Sequence, residues 1–166
     1  MPDVRIVIAG LTDLGTIASI ARRTWPVAYG TILSPKQLAY MLDLFYSEPA
    51  LNLQFTQGQR FLLATTDRTT VGFAGFEPHY LGGSTTRLHK LYVLPQQQGT
   101  GAGRALLKAV IEKARASGDE RLELNVNKYN TAQQWYKRQG FHTVRAEVID
   151  IGQGYVMDDF VMELAL

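Results

Sequence analysis

The chain contains no cysteine, which excludes disulfides, thiolate-bound zinc, iron–sulfur ligation and a cysteine nucleophile together. Histidine is nearly as scarce. Its three copies stand far apart at His79, His89 and His142, so no metal centre is expected. No apolar run approaches the roughly 18 residues that span a bilayer. The short segment Ile6 to Leu11 lacks a basic leader and a small-residue cleavage site, so it reads as a strand, and a soluble cytoplasmic protein is expected with no membrane partner. A charge excess is missing too: 17 Lys and Arg against 15 Asp and Glu leave a formal net charge of +2. The basic series Arg87, Lys90, Arg104, Lys108, Lys113 and Arg115 spans a strand and a helix without interleaved aromatics, so no nucleic-acid partner is expected.

What the chain does have is apolar surface. With 166 residues, 46% of them hydrophobic, it can offset the entropy of folding as one domain over 1–166. Strand and helix signals alternate without linker or repeat, the pattern of an α/β unit. Val4 to Ala9 is a first strand. Leu14, Ile17, Ala18, Ala21 and Trp25 fall at helical spacing. Ser34-Pro35-Lys36-Gln37 offers a capping hydroxyl, a proline at the first helical position and a Gln three residues after the cap. Ser47-Glu48-Pro49 opens a shorter helix closing at Gly58. The period then changes to that of strands at Arg60–Thr65 and Thr70–His79, joined by a turn at Asp67-Arg68, with a third strand at Arg87–Val93. Beyond these lie a helix from about Gly101 to Ser117, a strand Arg121–Val126, a helix near Thr131–Gln139, and strands near Thr143–Asp150 and Tyr155–Leu164.

The most informative stretch is Leu91-Tyr-Val-Leu-Pro-Gln-Gln-Gln98-Gly99-Thr100-Gly101-Ala102-Gly103-Arg104. Three alternating glycines between a strand and an amphipathic helix leave backbone N–H groups uncovered. Those donors, the positive end of the helix dipole and Arg104 suit an anionic group such as a pyrophosphate, although a tight turn alone would also use such glycines. No Lys-Ser or Lys-Thr follows, so a nucleoside-triphosphate loop is excluded, and the Gly-x-Gly-x-Gly spacing misses the dinucleotide fingerprint.

Gln98-x-x-Gly101-x-Gly103, set between Leu-Tyr-Val-Leu-Pro and Arg-Ala-Leu-Leu, resembles the acetyl-CoA motif of the GNAT superfamily of N-acetyltransferases. Downstream, Leu122-Glu-Leu-Asn125-Val-Asn127 and Asn130-Thr-Ala-Gln-Gln-Trp-Tyr136-Lys-Arg-Gln-Gly140-Phe141 resemble the family's second conserved segment. The segment from Trp25 to Pro35 is similar in outline to polyamine-type members. The resemblance implies a mixed α/β fold: a mostly antiparallel sheet of about seven strands, with a splayed pair that binds acyl-CoA and helices on both faces. It also implies acetyl-CoA as cofactor, a small-molecule or peptide amine as acceptor, attack in a ternary complex, and in similar folds often a homodimer. A CoA-binding sensor without turnover is the alternative.

Carried onto this sequence, the resemblance implies that main chain around Leu91, Tyr92 and Val93 holds the pantetheine arm. Amides from Gly99 through Thr100, Gly101, Ala102 and Gly103 to Arg104 then hold the pyrophosphate, with Gln98, Asn125 and Asn130 contributing. Tyr136 matches the position that protonates the leaving thiolate, while its spacing also suits plain packing. Asn130 equally suits a helix cap. Members often carry a Glu on the strand before the loop as base, where this sequence has Arg87 and His89. His89, alternating with Leu91 and Val93, is the first candidate, with Glu77 and His79 as alternatives. Five acidic residues, Glu147, Asp150, Asp158, Asp159 and Glu163, would favour a cationic acceptor if they lined its pocket.

Overall fold

A computed structural model describes residues 3–166. Seven strands, β1 (Arg5–Ile8), β2 (Arg60–Thr66), β3 (Thr69–Glu77), β4 (Thr85–Val93), β5 (Arg121–Asn127), β6 (His142–Gly152) and β7 (Tyr155–Ala165), form one sheet in the order β1-β2-β3-β4-β5-β7-β6. All neighbours are antiparallel except β4 and β5. The helices are α1 (Leu14–Tyr29), α2 (Pro35–Tyr46), α3 (Glu48–Thr56), α4 (Ala102–Ala116) and α5 (Ala132–Arg138).

Local chemistry accounts for the boundaries. Ser34 Oγ accepts the Gln37 amide at 3.1 Å and Ser47 Oγ the Ala50 amide at 3.3 Å, each with Pro in the first turn, so orphan donors of α2 and α3 are met by side chains. Gln37 departs from the capping-box expectation. Its side chain donates to the Val156 carbonyl at 2.9 Å instead, tying α2 to β7. The β2–β3 hairpin turns through Asp67 and Arg68, both at positive φ, the geometry that matches the strands' twist. Strand β3 stops at Glu77, so His79 stands beyond it in a left-handed turn at φ 52°, correcting its expected place on the strand.

The two faces of the sheet bury separate cores. Leu62, Phe76, Leu88, Leu122 and Leu124 meet Leu106 and Val110 of α4 on one face. Phe61, Leu63 and Phe73 meet Ile17, Ala21, Trp25 and Leu51 of α1 and α3 on the other.

One irregularity matters for function. Gly75 pairs with Lys90 and Phe76 with Leu88, leaving His89 as the extra residue of a bulge. The expected alternation of His89 with Leu91 and Val93 is therefore broken. Leu91 and Val93 pack toward α4, whereas His89, Lys90 and Tyr92 border a cavity on the opposite face.

Candidate active site

The parallel pairing of β4 with β5 covers only Thr85–Leu88 against Arg121–Leu124. Past those residues both strands continue, to Val93 and Asn127, without pairing to each other. This wedge is the splayed pair the sequence led us to expect.

At the end of the wedge the chain enters α4. Gly99 and Gly101 have φ of 84° and 90°, a region where any side chain would be strained. Gly101 is the residue before α4 and no side chain caps that helix, so the first-turn amides from Ala102 to Arg104 lack intrahelical partners. Thr100 spends its hydroxyl on the Gln97 carbonyl at 2.6 Å. Gly103 lies against Trp135 of α5, and Arg104 and Gln98 are exposed. Backbone donors at a dipole's positive end fit a pyrophosphate, and an open strand edge fits an extended amide-bearing arm.

On the α1–α2 side the wedge opens into a cavity of about 380 Å³. Its wall is aromatic: Trp25 lies 4.7 Å from Tyr29, 5.6 Å from Tyr46 and 5.9 Å from Tyr92 between ring centroids. Tyr29 and Tyr92 share a hydrogen bond between hydroxyls at 2.9 Å. Burial raises the pKa of both, and of Tyr136, above the ordinary 10.0. These phenols stay protonated and act as donors. Tyr136 is 8% exposed and makes edge contacts with Trp135 and Phe141, so its packing role is realised alongside its place near Tyr29.

Asn130 Oδ1 accepts the Ala132 amide at 2.9 Å, opening α5. Asn125 turns into the cavity. Glu77 stands outside its lining but meets His89, Nε2 to Oε1 at 3.1 Å. Burial, then the neighbouring Lys90 and Arg87, press the His89 pKa down to about 3. His89 is thus a neutral imidazole and a weak proton acceptor. His79 pairs with Asp119 at 2.7 Å and lies away from the cavity.

Lys90 and Asp159 are the residues whose roles sequence reasoning did not resolve. Lys90 is 8% exposed; it donates to Gln59 Oε1 at 3.0 Å and lies 5.8 Å from the ring centres of Tyr46 and Phe61. Burial lowers its pKa to about 7. The only available signal was a lysine inside an apolar strand, and simple alternation would have put it on the wrong face. Of the five acidic residues near the C-terminal end, Asp159 alone lines the cavity. Glu147 pairs with Arg145, Asp158 with Lys128 and Glu163 with Arg121, and Asp150 binds the Gly152 amide.

The model of the acetyltransferase (GNAT) domain family matches residues 33–158. The chain belongs to the GNAT family. It is 32% identical over 156 residues to an uncharacterized N-acetyltransferase of Mycobacterium tuberculosis, covering 92% of this chain and 97% of that one, with the same figures for a Mycobacterium bovis N-acetyltransferase. Among solved structures, the fold matches the PaiA N-acetyltransferase of Thermoplasma acidophilum in complex with coenzyme A, with a TM-score of 0.83, 23% identity and 99% of each chain covered. It also matches the ribosomal-protein-S18-alanine N-acetyltransferase of Escherichia coli, with a TM-score of 0.72, 21% identity, and 98% and 94% covered. This GNAT chain is accordingly an N-acetyltransferase.

Proposed function

We propose that this acetyltransferase moves an acetyl group directly from acetyl-CoA to a primary amine, of a small molecule or a peptide, with both substrates bound at once. The observation that carries this reading is the wedge: edges of β4 and β5 that do not pair with each other on its floor, uncapped α4 amides at one end and an aromatic cavity on the other side. Main chain of Leu91, Tyr92 and Val93 would hold the pantetheine arm, and amides from Gly99 to Arg104 the pyrophosphate. Acetyl-CoA supplies an activated thioester there. An amide of β4 near Tyr92 or Val93 suits the carbonyl oxygen as negative charge develops on it. Tyr136 keeps its phenolic proton by burial, the state needed to donate toward a leaving sulfur. Glu77 holds the bulged His89 by its Nε2, and the imidazole remains neutral.

The test is release of free coenzyme A across a panel of primary amines. Turnover is expected, with Tyr136→Phe lowering kcat by roughly 100-fold while acetyl-CoA affinity holds. Binding of acetyl-CoA with no amine turned over would replace this reading with a coenzyme-binding sensor.

A further inference from the structure

Three residues that line the cavity carry buried side-chain polar atoms with no partner. Among the described residues, five buried side-chain polar atoms lack a hydrogen bond. Two of them, Asp119 Oδ1 and Asp158 Oδ1, sit within ion-pair distance of His79 and Lys128, at 2.7 and 2.9 Å. The other three, Trp25 Nε1, Gln54 Oε1 and Asn125 Oδ1, all belong to residues lining this one cavity. A buried polar atom left unmet is costly, so these three mark the cavity as the part of the fold where hydrogen bonds are given up for room.

Asn125 shows which end receives charge. Its Nδ2 faces Glu147 Oε2 at 3.2 Å and Asp159 Oδ2 at 3.3 Å. Two carboxylates fix the amide's orientation and leave Oδ1, an acceptor, as the free atom. Around it runs a connected set of charges. Arg87 donates to Glu123 at 2.7 Å, Arg145 reaches Glu123 at 3.4 Å and Glu147 at 3.0 Å, and Asn125 joins Glu147 to Asp159. Two guanidinium groups serve three carboxylates, and Asp159, 3% exposed, is the member with no ion-pair partner of its own; burial raises its pKa above the ordinary 3.8. Lys90, the other cation lining the cavity, is held by Gln59 and boxed by aromatic rings. Asn125 also lies on the stretch of β5 that does not pair with β4, beside the wedge.

We infer that Asp159, beside Asn125, forms the seat of the acceptor's ammonium group, and that the acceptor carries this single positive charge on an apolar or aromatic body. The rest of the wall dictates the body. Leu33, Met41, Phe45, Ile149 and Met157 offer no further carboxylate, so a second cation would be desolvated without a partner. A polyamine, needing carboxylates at intervals, is disfavoured by the same lining. The inference rests on the proposed transfer to an amine, but its readout is binding.

The experiment titrates 2-phenylethylamine, spermidine and the uncharged 2-phenylethanol into the coenzyme A-saturated protein by calorimetry. 2-Phenylethylamine is expected to bind at least tenfold more tightly than either. Asp159→Asn is expected to weaken it at least tenfold while the Kd for coenzyme A changes less than twofold. Equal binding of the alcohol, tighter binding of spermidine, or an unchanged affinity in Asp159→Asn overturns the seat. The alcohol comparison needs no variant and so decides the matter even if Asp159→Asn does not fold. An absence of turnover with the binding order intact would overturn the proposed transfer and leave the seat standing.

Discussion

The two faces of the sheet are finished by different means. Against α4 the sheet is closed by aliphatic side chains, with Leu106, Val110, Ala114 and Leu122 at 0% exposure. Against α1 and α2 it is closed by aromatic rings around a void, with a lysine and an aspartate buried at its margins. The first face is optimised for packing. The second gives up packing and hydrogen bonds for room, which is the usual signature of a binding site placed on a rigid support.

Truncation should expose this contrast most strongly. Leu106→Ala on the α4 face is expected to cost about 2–5 kcal/mol in denaturant unfolding, whereas Phe45→Ala, beside an existing void, should cost clearly less. Equal losses would mean that the cavity wall is packed as tightly as the core. A second comparison sets backbone against side chain. Gly101→Val puts a β-branched residue at φ 90° where bare amides are needed, and is expected to weaken coenzyme A binding at least tenfold by calorimetry, with the backbone strain lowering the melting temperature by several degrees as well.

The third comparison concerns Lys90. Its pKa is about 7 in the folded protein against 10.5 for an ordinary lysine. Between those values the unfolded chain binds a proton that the folded chain does not, so stability rises with pH from about 7 to 10.5. The slope contributed is at most about 1.4 kcal/mol per pH unit. Lys90→Met should flatten the rise and stabilise the protein most at or below pH 7. An unchanged stability-versus-pH curve would mean that water reaches the amine.

What could be read in the sequence divides along the same line. The proposed coenzyme end is made of backbone, and backbone needs leave marks: alternating glycines, a preceding strand and an amphipathic helix. The cavity is made of side chains from α1, α2, α3, β4, β5, β6 and β7, brought together only by folding. A single inserted residue in β4 decides that Lys90 and not Leu91 faces the cavity. No local pattern announces such a bulge. The carboxylates near the C-terminal end were visible as a group, but which of them would be neutralised by Arg145, Lys128 or Arg121 depended on strand register.

The register of β4 against β5 has a mechanical consequence. Only four residue pairs stitch β1–β4 to β5–β7, so the sheet behaves as two plates sharing a short seam. A coenzyme lying along the gap would lengthen that seam, and amide hydrogen exchange should slow in the distal halves of both strands when it binds, making occupancy legible as stiffness.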